Sequence, residues 1–144
     1  MTEDARLTGL PDAMDPPVAL DRCFDAQYGL VIVSDHSADG EGLTARVEVR
    51  DRALGPTGVV HGGVYASIAE ALAARGTIHA LDDATRRVVG MSNDTHFLRP
   101  IAGGAVRSTA LPVSRSDELW LWDVEHRDDA GRLCALTRMT IAVR

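Results

Sequence analysis

The stretch from Gly62 to Leu81 constrains this chain more than any other part of it. Apart from Glu70, Arg75 and His79 it consists of Ala, Val, Ile, Leu, Gly, Tyr, Ser and Thr, so it reads as one long helix buried nearly all round. At about 100° per residue, Tyr65, Ile68 and Leu72 fall on one side. Gly63, Ala66, Ser67, Ala73, Ala74 and Thr77 surround Glu70 on the other. The first side is built to pack, and the second leaves a groove of small residues.

Such a helix needs a cover, and the rest of the chain supplies strands. Leu30 to Val33 is a β-branched run, and Leu43, Ala45, Val47 and Val49 alternate with Thr44, Arg46, Glu48 and Arg50. These two strands are joined by the turn-forming segment Ser37 to Gly40. Four further strand-like stretches lie near 86–97, 104–114, 118–127 and 132–143, divided by turn signals at Arg99 to Gly104, Ser114 to Asp117 and Asp128 to Gly131. In the last stretch Leu133, Ala135, Thr137, Met139, Ile141 and Val143 share a face. Those connections are too short for the crossovers of parallel pairing. The expected class is therefore α+β, an antiparallel sheet wrapped around one long central helix. A short helix is expected between Pro17 and Gly29, burying Val18, Leu20 and Phe24. Residues 1–15 read as a mobile leader, and 16–144 as a single domain.

Composition removes several function classes. A net charge of −6 gives no electrostatic attraction to nucleic acid. No apolar run approaches a transmembrane span, and the acidic first twenty residues lack the pattern of a secretory signal. The expectation is a cytoplasmic protein with no nucleic-acid or membrane partner. Cys23 and Cys134 have no His or Cys at metal-ligand spacing, so no metal site is expected and both read as packing residues. All fifteen cations are Arg, the side chain best suited to gripping phosphates.

The chemistry concentrates on the helix. A carboxylate in a groove of small residues is costly to desolvate unless it finds partners, which makes Glu70 a candidate general base or nucleophile. Where loop becomes helix stands Val59-Val60-His61-Gly62-Gly63. The first amides of a helix lack internal partners and sit at the positive end of its dipole, ready for an anion or a developing oxyanion, and glycines admit a substrate to that backbone. Gly62 and Glu70, eight residues apart, lie about 12 Å apart along the axis at about 1.5 Å per residue. One carbonyl does not reach both within a helix. If both serve one reaction, Glu70 faces Gly62 of a second copy, with two helices antiparallel across a twofold axis.

His61-Gly62-Gly63, then Glu70, then His96-Phe97-Leu98-Arg99-Pro100, together resemble the hotdog-fold thioesterases of the PaaI-like group. The similarity runs from about Gly29 to the C-terminus and is strongest to the subgroup that hydrolyses aromatic acyl-CoA, such as 1,4-dihydroxy-2-naphthoyl-CoA and 4-hydroxybenzoyl-CoA. The resemblance implies a hotdog fold and acyl-CoA hydrolysis. By it, Glu70 is nucleophile or general base, the partner's Gly62 amide polarises the carbonyl, and His61 positions the thioester. Substrate or coenzyme A contacts then fall on Gly63, Gly90, Phe97, Leu98, Arg99, Pro100, Ser114, Arg115 and Ser116. No cofactor is implied, since coenzyme A belongs to the substrate. The assembly implied is a homodimer at minimum, and a homotetramer as a dimer of dimers. Two positions differ from relatives: Gly55 stands where Gln is common, and Ala74 where Ser or Thr is expected one turn after the carboxylate. They motivate the alternative of a non-catalytic acyl-CoA-binding hotdog protein.

Overall fold

Among the described residues, six strands and one long helix account for the order of apolar and polar residues. In a computed structural model, residues 15–35 and 42–144 are described. The turn at 37–40 and all of the leader except Asp15 lie outside the described residues. A one-turn helix α1 (Phe24–Gln27) precedes β1 (Val31–Asp35) and β2 (Leu43–Glu48). Then come the long helix α2 (Gly62–Leu81), β3 (Val88–Phe97), β4 (Ala105–Arg115), β5 (Leu119–Arg127) and β6 (Leu133–Val143). The strands form one sheet in the order β1-β2-β4-β5-β6-β3, and each neighbouring pair is antiparallel. This is the α+β architecture that the sequence predicts.

Alternation decides which residues meet the helix. In β6, Ala135, Thr137, Met139, Ile141 and Val143 are buried, and in β5 so are Trp120, Trp122, Val124 and His126. From α2, Tyr65, Ile68, Ala69, Leu72 and Ala73 enter the same core. Burying a side chain such as Ile68 or Leu72 stabilises the fold by about 1.5–3 kcal/mol. Trp122 fixes the helix in place: its indole N–H donates to Thr77 Oγ1 at 2.9 Å, and Thr77 donates to the Ala73 carbonyl at 2.8 Å. At Gly76 a Cβ would come within 2.6 Å of the Trp122 ring. The helix closes at Asp82, left-handed at φ 44°, whose N–H donates to the Ile78 carbonyl.

Two expectations are corrected. The helix is not buried all round: His61, Gly63 and Glu70 are exposed, while Ala66, Ser67 and Ala74 are half-buried. Ala73 and Thr77, assigned by spacing to the Glu70 side, are fully buried instead, because the strand carrying Trp122 wraps that side of the helix. The expected helix between Pro17 and Gly29 shrinks to Phe24–Gln27. Its Phe24 and the preceding Val18 are exposed, since the ring hangs beside α2 and does not enter the core.

Gly76→Ala tests the Trp122 contact by sign. Alanine inside a helix ordinarily stabilises by about 1 kcal/mol relative to glycine, whereas overpacking costs about 1–3 kcal/mol. The expected result is a net loss in urea denaturation, and a gain would refute the contact. His126 provides a second test. Burial between strands pushes its pKa down to about 3, so the unfolded chain takes up a proton below ~6.5 that the folded chain refuses. Stability is complete above ~6.5 and declines toward pH 3, by at most about 1.4 kcal/mol per pH unit. Urea midpoints measured from pH 7 to 5 should fall in the wild type and flatten in His126→Gln; parallel curves would exclude His126 as the source.

Candidate active site

The N-terminal end of α2 carries two occupied amides and one free amide. His61 is the N-cap, and its Nδ1 accepts the Gly63 N–H at 2.9 Å. The Val64 N–H donates to the His61 carbonyl. Gly62, between them, has an amide with no partner among the described residues, at the positive end of the helix. The Phe97 ring lies against the Cα of Gly62, where a Cβ would be 2.8 Å from that ring. Phe97 is nevertheless 61% exposed, and it packs at 6.1 Å between centroids against Tyr65. The Tyr65 hydroxyl is buried without a hydrogen-bond partner, and burial, then Cys134, pushes its pKa up to about 12.

Glu70 lies two turns further along and opens onto a cleft of about 350 Å³. The lining comes from two elements: Ser67, Glu70, Ala71, Ala74 and Arg75 from α2, with Cys23, Phe24 and Asp25 at α1. An ion pair builds the wall between them. Arg75 Nη2 donates to Asp25 Oδ2 at 2.7 Å, and the Tyr28 hydroxyl donates to Asp25 Oδ1 at 2.9 Å. Both charged partners are mostly buried, so loss of either would leave the other as an unpaired buried charge, and the pair ties α1 to α2. Phe24, 67% exposed, is thereby held beside Glu70.

The remaining candidates separate into two groups. Phe97 ends β3 at the N-terminal end of α2, and Leu98 and Arg99 follow, both donating their N–H groups to the Cys134 carbonyl. Pro100 then leads to Ile101, whose carbonyl accepts the Val60 N–H. Gly90 sits near the other end of β3, at a bulge between Gly90 and Ser92. Ser114, Arg115 and Ser116 belong to that same far end, where Arg86 Nη2 donates to the Asp117 carbonyl. There Arg115 lies 5.4 Å over the Trp120 ring, and Ser116 Oγ accepts the Leu119 N–H at 3.1 Å. The helix of 20 residues separates the two ends by about 30 Å. One chain alone therefore brings Phe97 to Pro100 to His61, Gly62 and Gly63, but not to Gly90 or to Ser114 to Ser116.

One group of residues was not legible as site residues from the sequence. Cys23, Phe24 and Asp25 line the cleft from a segment whose spacing suggested a core helix. Their only signal was Arg75, a cation inside an apolar helix that had to find an acid somewhere. Asn93, Asp94 and His96, the strand residues that could stand in for the Ser or Thr missing at Ala74, are divided by the strand's alternation: Asn93 Nδ2 donates to the Ala66 carbonyl at 2.9 Å, so it lies on the helix side of β3. Asp94 and His96 alternate to the opposite face of the sheet, where they form an exposed contact of 3.4 Å. Gly55, at the position where Gln was expected, lies against the His61 ring, 3.7 Å from a Cβ built on it.

An antiparallel sheet around one helix, with a carboxylate in a cleft and a free amide at the helix start, defines the class as a hotdog thioester hydrolase. The thioesterase superfamily profile matches residues 57–135, and the chain belongs to that family. It is 37% identical over 114 residues to the Mycobacterium tuberculosis protein Rv1847, an esterase by name, covering 78% of this chain and 79% of that one. It is 29% identical over 111 residues to 1,4-dihydroxy-2-naphthoyl-CoA hydrolase of Escherichia coli, covering 76% and 79%. A Haemophilus influenzae thioesterase structure superposes with a TM-score of 0.77 at 27% identity, covering 83% of this chain and 81% of the other. Among the described residues, no helix is long and apolar enough to cross a membrane.

The cap can be separated from any chemistry of His61. His61→Ala should lose about 1 kcal/mol in urea denaturation, while His61→Asn, which also caps, should stay close to wild type. An alanine variant as stable as the parent would remove the capping role.

Proposed function

We propose that this chain hydrolyses an acyl-coenzyme A thioester with a small or aromatic acyl group, in the cytoplasm, with Glu70 as general base or nucleophile. The observation that carries this reading is a carboxylate opening onto a cleft on the same helix that presents the free Gly62 amide, in a chain of the thioesterase superfamily. In the base-catalysed form, Glu70 takes a proton from water as the oxygen attacks the thioester carbon. Negative charge collects on the carbonyl oxygen, where a helix amide stabilises it. The carbon–sulfur bond then breaks, and coenzyme A leaves as the thiolate and takes up a proton. If Glu70 attacks directly, an acyl anhydride forms with the same departure of thiolate, and water hydrolyses it. No resident cofactor enters either route.

The spacing of Gly62 and Glu70 along one helix calls for a second copy. Strand β3 supports this, because among the described residues it is a 10-residue edge strand paired only with β6, and long unpaired edges favour association. Two helices antiparallel across a twofold axis, crossing near Ala66, would set Glu70 of each beside the partner's Gly62. The Phe97 to Pro100 group and the Gly90 and Ser114 to Ser116 group, about a helix length apart in one chain, would come together only between protomers. Coenzyme A would lie across that junction, with Arg99 and Arg115 toward its phosphates, and two such dimers would form the tetramer. Phe24 favours an aromatic acyl group, since it offers a ring face beside Glu70. The Escherichia coli relative, named for a naphthoyl-CoA substrate, supports the same class.

Two measurements test this reading. Glu70→Ala should lower kcat about a hundredfold or more, with the fold and the dimer retained; unchanged turnover would defeat it. Phe24→Ala should cost benzoyl-type substrates roughly tenfold in kcat/KM, about 1.4 kcal/mol, and short aliphatic esters less than twofold. An acyl-CoA panel with a thiol-detecting reagent also decides against the alternative of a non-catalytic binder, for which tight binding without thiol release would be found.

A further inference from the structure

Behind the cleft runs a chain of side-chain hydrogen bonds whose direction is determined throughout. Asn93 Nδ2 donates to the Ala66 carbonyl at 2.9 Å, which sets the orientation of its amide. Thr95 Oγ1 donates to Asn93 Oδ1 at 2.8 Å. A threonine hydroxyl has one proton, so in its 2.9 Å contact with Thr137 Thr95 accepts and Thr137 donates. Thr137, its proton committed, accepts from His126 Nε2 at 3.1 Å. The imidazole is therefore the Nε2–H tautomer, and its Nδ1 accepts from the Ser108 hydroxyl at 2.7 Å. Ser108, His126 and Thr137 are fully buried. Bonds aligned head to tail polarise one another and stiffen as a unit.

The end of this chain is significant. In an α-helix the carbonyl of residue 66 pairs with the amide of residue 70, so Asn93 bonds the carbonyl that closes the turn carrying Glu70. The bond also ties β3, an edge strand supported on one side only, to α2 a short distance before Phe97. We propose that Asn93, held by the Ser108–His126–Thr137–Thr95 relay, is a positioning residue for the thioesterase reaction. It sets the turn that carries Glu70 against the strand that carries Phe97 to Pro100. The proposal rests on the functional reading above.

The test compares Thr95→Val, which replaces a hydroxyl by a methyl group at nearly constant volume, with Thr95→Ser and Asn93→Ala. Both relay-breaking variants should lower kcat roughly tenfold to a hundredfold through misplacement, with KM within twofold, whereas Thr95→Ser should restore kcat to within twofold of wild type. Wild-type kcat in Asn93→Ala, or equal damage in Thr95→Ser and Thr95→Val, would overturn the role. Asn93 is exposed, so its variant remains informative if Thr95→Val does not fold. The imidazole ¹⁵N spectrum of the wild type should show the Nε2–H form of His126, and an Nδ1–H form would overturn the relay's direction. A wild type without thioester turnover would instead sink the functional reading itself, an outcome distinct from normal turnover in the variants.

Discussion

Everything in this molecule depends on how the sheet grips one face of α2 and leaves the other free. Trp122 holds that grip at its tightest point, where the ring occupies the space a side chain at Gly76 would need and its N–H satisfies the otherwise buried Thr77 hydroxyl. Polar groups inside a core are tolerated only when bonded. This one bond therefore sets the helix's rotation, and with it the direction in which Glu70 faces.

Rotation alone does not make a site. The free Gly62 amide and Glu70 share a helix but not a location, and the candidate substrate contacts lie at its two ends. A rigid helix cannot fold back to join them. On the proposed reading one chain therefore carries half a site twice over, with β3 as the seam for a second copy. The ion pair of Asp25 with Arg75 completes the cleft from the other side by fastening α1, an element too short to hold its place by packing.

The polar network through His126 has a related function. It is expensive in isolation, since a buried imidazole kept neutral loses its charged form altogether. It is worthwhile where each member has one permitted role, so that the arrangement admits a single geometry. Here the network joins the core to the margin of the sheet, the part that packing constrains least.

By itself the sequence determined the class of fold, the extents of most elements and the long helix that carries the candidate site, because side-chain periodicity is local and strand alternation with short connections excludes parallel pairing. It marked His61, Gly62 and Glu70, since a lone carboxylate in an apolar helix and glycines at its start are conspicuous in one dimension. Only the tertiary structure decided that Ala73 and Thr77 turn inward, that Phe24 leaves the core for the cleft, and that Asn93 faces the helix while Asp94 and His96 do not. Those outcomes depend on how far a twisted sheet wraps a cylinder and on pairs such as Asp25 and Arg75, far apart in the chain. No local pattern encodes a distance between residues that meet only after folding.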